Sequence, residues 1–150
     1  MIAKVLLAAI FLFPSVGGWS MQDSKAWTET MRDDDWAYVC EHSRVFYGTS
    51  CDNVAKPIVM FAPFPASLAG EYTGGNYIIL NGFGVSWAEK REVEVHEATH
   101  YLLYKSNHLV DKCKSEEAAR RTTDSYMHRP YSDKWRAIYG CAAPWIRSRS

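Results

Sequence analysis

The stretch SWAEKREVEVHEATHYLLYK, Ser86 to Lys105, decides how this chain is read. Ser86-Trp87-Ala88-Glu89 fits a capping box, with Ser at the N-cap and Glu three residues on. A helix is therefore expected from Trp87 to about Lys105, stopping at Ser106-Asn107. Within it stands His96-Glu97-Ala98-Thr99-His100, an HExxH pattern. Two His at i and i+4 on a helix differ by about 40° around its axis, so both imidazoles lean the same way, one turn apart. They can give two nitrogens to one Zn²⁺ at about 2.0–2.1 Å. Glu97 lies beside them, placed to act as general base on a metal-bound water without binding the metal. With 5 His and nine Glu in 150 residues, random placement yields this pattern on the order of 0.01 times per chain.

A catalytic zinc needs a third protein ligand. Metzincins carry Gly and His three and six residues after the second His; here those positions are Leu103 and Ser106, which excludes that class. His108 lies past the expected helix end, and Asp111 falls in the connecting loop. Glu116 and Glu117 are the best candidates. A turn from Ser106 to Lys114 lets a helix capped by Ser115 fold back on the zinc helix, with both acids in its first turn. That helix is expected to run to about Met127, with Pro130 stopping it and a last short helix at Lys134 to Tyr139.

Working outward, Asp23 to Arg44 lacks Gly and Pro and spaces Trp27, Met31 and Tyr38 as a helix would, interrupted at Asp33-Asp34-Asp35. Those three Asp lack the Gly and distal Glu of a calcium loop and read as a solvated face. Gly48 to Asn53 reads as a loop. Ile58 to Phe61 is a short apolar strand between Pro57 and Pro63. Leu68 to Thr73 and Tyr77 to Leu80 flank Gly74-Gly75-Asn76, a hairpin signal, and Asn81 to Gly84 closes that unit. Helix, three strands, then helices makes an α+β domain.

At the N-terminus, Lys4 is followed by an apolar run, Val5 to Phe13, then Pro14, Ser15, Gly17 and Gly18. This is the pattern of a secretory signal peptide over residues 1–18, leaving a single domain at 19–150. Cleavage before Trp19 is expected, with cleavage after Ser20 as the nearest rival. The run is too short to span a bilayer, which takes about 20 residues, and no second apolar stretch is long enough, so the mature form is expected to be secreted or periplasmic and not membrane-embedded. Cys40, Cys51, Cys113 and Cys141 form an even set without a CxxC pair. In an oxidising compartment they read as disulfides, Cys40–Cys51 and Cys113–Cys141, each closing a loop within one half of the chain. Lys plus Arg and Asp plus Glu are both 17, so no general basic face for nucleic acid is expected. Apolar residues at 47% support a packed core.

From about Leu68 to Met127 the chain resembles a gluzincin, the zincin branch whose third ligand is a Glu on the following helix. In such families that Glu often precedes Ala at +3 and an acidic or amide residue at +4. Glu116 has Ala119 at +3, and the resemblance therefore favours it over Glu117. At +4 stands Arg120, a departure that leaves the partner of the ligand His unassigned, with Asp124 a substitute. The resemblance implies a minimal zincin-like domain with one Zn²⁺ on His96, His100 and Glu116. It implies hydrolysis of a peptide or protein substrate by a zinc-activated water, with Glu97 as general base. Tyr77 to Leu80 stands where zincins pair extended substrate; as an edge strand it could bind peptide, as an interior one it could not. Tyr126, His128 and Tyr131 have the chemistry to steady an oxyanion, and the sequence assigns none of them. The rival readings are a secreted disulfide-stabilised protein that binds zinc without turnover, and one that binds a partner through exposed aromatics.

Overall fold

The structure, a computed structural model, describes residues 27–62, 70–72, 74–82, 87–106 and 111–141. The expected signal peptide, its cleavage site, the Ser86 cap and His108 lie outside them. Among the described residues the chain is α+β, with four helices and a small mixed sheet of four strands.

The first element corrects the expected helix over Asp23 to Arg44. Trp27–Thr30 is a strand, β1, and the helix α1 runs Asp33–Tyr47. Trp27, Thr28 and Thr30 favour extended backbone, and β1 gains a partner by pairing antiparallel with Ile58–Ala62, β2. Asp33, Asp34 and Asp35 do not interrupt the helix. They form its first turn, where carboxylates meet the positive end of the helix dipole. Gly48, at φ 67°, closes α1 in the left-handed conformation that a side chain would strain.

Gly70–Tyr72 (β3) and Tyr77–Asn81 (β4) form the expected antiparallel hairpin around Gly74-Gly75-Asn76. The order β1-β2-β4-β3 puts β4 between β2, to which it runs parallel, and β3. β4 is therefore an interior strand, and the edge beside it is β3. Ile78, Ile79 and Leu80 are consecutive and all buried, Ile78 and Leu80 in the cluster with α2 and Ile79 in a second cluster with Ala62, Met60 and Tyr77.

Helix α2, Trp87–Lys105, has the expected span. Val95, Ala98 and Leu102 lie in one cluster with Val59, Phe61, Ile78 and Leu80 of the sheet. Helix α3, Lys112–Tyr126, begins earlier than expected. Its cap is Asp111, whose carboxylate accepts from the Lys114 backbone N–H at 2.9 Å, so Ser115 lies inside the helix with its hydroxyl available for other use. Helix α4, Trp135–Tyr139, ends at Gly140, φ 68°. Cys40–Cys51 and Cys113–Cys141 are bonded as their spacing suggests, the second tying α4 to α3. No helix among the described residues is long and apolar enough to cross a membrane.

Glu94 on α2 is buried, and its Oε1 has no hydrogen-bond partner among the described residues. Burial, then the charges of Asp35 and Glu29, push its carboxyl up to about 7, against smaller opposing effects of Arg91 and the Arg32 backbone. The folded chain thus holds this proton more tightly than the unfolded chain does. Stability is lost as pH rises from the ordinary carboxyl range through about 7. Glu94→Gln is expected to stabilise the protein at pH 8 by about 1–3 kcal/mol and to change little at pH 4, as read by denaturant unfolding at the two pH values. Ile78→Ala, which empties a fully buried position in β4, is expected to cost about 2–5 kcal/mol in the same assay at any pH.

Candidate metal centre

Helices α2 and α3 bring His96, His100 and Glu116 to one point. His96 Nε2 and His100 Nε2 are 3.3 Å apart. Glu116 Oε2 is 3.2 Å from His100 Nε2, and Oε1 is 3.5 Å from His96 Nε2. Ligands about 2.0–2.1 Å from a tetrahedral ion lie about 3.3–3.4 Å from one another. The His–His and His–carboxylate separations are of this size, with one donor atom from each residue within 4.8 Å of the others, and the trio could hold a metal ion.

The neighbouring Glu117 is turned away. It is fully buried, its Oε1 2.7 Å from an Arg136 Nη and 3.2 Å from an Arg121 Nη. Adjacent residues on a helix point about 100° apart, so only one of the pair can face α2 at this level. His100 Nδ1 lies 2.6 Å from Ser115 Oγ, a contact that fixes the ring with Nε2 toward the trio.

The electrostatics follow from burial and proximity. Burial opposes charge on His96, but its hydrogen bond to Glu116 and the charge of Glu97 outweigh that and hold the imidazole above its usual value. Burial also opposes charge on Glu116, and the hydrogen bonds from His100 and His96 override it, holding the carboxyl well below the usual range. An ion entering here displaces protons from the imidazoles.

The trio opens into a cleft of about 1130 Å³. Glu97 lines it beside His96. Glu71, on strand β3, also lines it, its carboxyl raised by burial and by the charge of Glu97. Trp135 and Tyr139 of α4 also line it.

Other expected candidates go elsewhere. Asp124 accepts from Arg129 Nε at 2.6 Å and from the Ser132 backbone N–H at 3.3 Å, so it orients no His. The Tyr126 hydroxyl donates to Asp35 Oδ1 at 2.7 Å; burial and that bond push it up to about 12. Tyr131 packs under Arg121 and accepts from Trp135 Nε1, and His128 is exposed and is not among the cleft's lining residues. Sequence reasoning misses Ser115 as a His partner and the α4 wall. It also takes Arg120 only as a departure, although a Glu–Arg pair at i and i+4 signals the contact the structure contains.

No family model matches this chain, and no match was found among curated proteins or solved structures.

Divalent ion is expected to raise the unfolding free energy by about 2.7 kcal/mol when free ion is 100-fold above Kd. His100→Ala is expected to abolish that response, as followed by thermal unfolding with and without Zn²⁺.

Proposed function

We propose that this chain is a secreted zinc-dependent metallopeptidase of the gluzincin type. The observation that carries the reading is the spacing of the His96, His100 and Glu116 donors, with Glu97 in the same cleft. Two imidazoles and one carboxylate are the donor set of many catalytic zinc sites, which keep a position open for water. When bound, Zn²⁺ supplies a Lewis acid that polarises the scissile carbonyl and makes water a nucleophile near neutral pH.

The protein's own groups do the rest. Glu97 takes a proton from the attacking water and delivers it to the amine nitrogen as the C–N bond breaks. Ser115 keeps His100 oriented through this cycle. Strand β3 offers its outer edge along the cleft through Gly70, Glu71 and Tyr72, so an extended peptide can add to the sheet by backbone hydrogen bonds. β3 takes over the role that the sequence alone allows for Tyr77 to Leu80. Two disulfides fit an oxidising compartment, in keeping with export.

Glu97→Gln is expected to retain zinc at wild-type stoichiometry while hydrolysis of an unstructured protein falls about 10²–10⁴-fold. Undiminished hydrolysis by this variant would remove Glu97 as the base. Hydrolysis that persists in wild type after complete chelation would remove the metallopeptidase reading.

A further inference from the structure

Arg120 stands four residues after Glu116, where gluzincin patterns carry Asp or Asn. Its Nε donates to Glu116 Oε1 at 2.6 Å. Oε1 is also 3.5 Å from His96 Nε2, while the other carboxylate oxygen, Oε2, is free of Arg120 Nε and lies 3.2 Å from His100 Nε2. The guanidinium lies 5.6 Å from the centre of the Trp135 ring and 5.7 Å from that of Tyr139. Both rings belong to α4, and the Cys113–Cys141 disulfide ties the end of α4 to the first turn of α3.

We propose that Arg120 is a positioning residue that clamps one oxygen of Glu116, leaving the other as a single donor to the metal. This rests on reading His96, His100 and Glu116 as the ligands. A carboxylate left to itself can bind an ion through both oxygens, and the second would occupy a coordination position that water and substrate need. A charge-assisted hydrogen bond from a guanidinium engages Oε1 and sets the carboxylate plane. The two rings hold the guanidinium in place, so little side-chain freedom is left to lose. Charge alone does not explain Arg120, because a cation this close to a bound dication opposes it. What Arg120 adds is direction.

The decisive variant is therefore Arg120→Lys, which keeps the charge and loses the planar, stacked donor. Co²⁺ is the probe, since its visible absorption is strong when four-coordinate and weakens as coordination number rises. Wild type is expected to give strong bands. Arg120→Lys is expected to weaken the bands and to bind Co²⁺ about 10-fold or more less tightly, with circular dichroism and both disulfides unchanged. Tyr139→Leu alters a half-exposed residue and leaves Arg120 in place; it is expected to shift affinity in the same direction by about two- to five-fold. Wild-type affinity and spectrum in Arg120→Lys would overturn the clamp while leaving the metal centre standing. Failure of wild type to bind Co²⁺, or binding unaltered by His100→Ala, would overturn the metal centre and the clamp with it.

Discussion

The site depends on how closely α2 and α3 can approach. Donors on two helices converge on one ion only when they come within about 3.3 Å of each other, and the reach of His and Glu side chains is fixed. The contact is therefore built from small residues on α3. Ala118 and Ala119 are fully buried, and Ala118 packs with Leu103 of α2 and Tyr47 of α1. The Tyr47 hydroxyl donates to the Ala118 carbonyl at 3.0 Å. Thr122 and Thr123 return their hydroxyls to the carbonyls of Ala118 and Ala119, so this tight face strands neither donor. On its other side α2 is fixed by the sheet through Val95, Ala98 and Leu102. Sheet, α2 and α3 thus form a stack in which the metal trio lies at the second contact.

Buried charge holds the periphery to this stack. Asp35 at the start of α1 is almost fully buried, accepting from Arg91 of α2 at 2.9 Å and from Tyr126 of α3 at 2.7 Å. Glu117 serves α4 in the same way through Arg136. Desolvation offsets most of the attraction in such pairs, so their value lies in geometry, and removing one partner leaves the other buried and uncompensated. Adjacent acids on one helix therefore carry opposite duties. Glu117 faces inward to anchor α4, and Glu116 faces the cleft. The anchored α4 in turn supplies the rings on which Arg120 rests.

What could be read from the sequence was local. The span of α2 agrees with the expected helix, and the meeting of His96 with His100 follows from helix geometry alone. The Gly74-Gly75-Asn76 hairpin is likewise set by a short turn, and both disulfides join cysteines within one half of the chain. What could not be read depends on partners distant in sequence. β1 is four residues whose extended form is stabilised by pairing with β2, so its spacing could pass for a helix. Asp111 and Ser115 are equally good caps, and the choice between them falls to the packing of α3 and to Cys113. β4 is a paired strand because β2, from further up the chain, lies against it. Glu116 and Glu117 are separated by the phase of α3 against α2, where local pattern gives only a preference. The pairing of Arg120 with Glu116 was within reach of an i, i+4 rule, but its two aromatic supports were not.

The central claim, that α2 and α3 together make a zinc site, is tested most directly by metal analysis of the purified mature protein with both disulfides intact. About one zinc per chain is expected. No bound zinc, even after refolding in its presence, would contradict it and leave His96, His100 and Glu116 as a polar cluster at a helix contact.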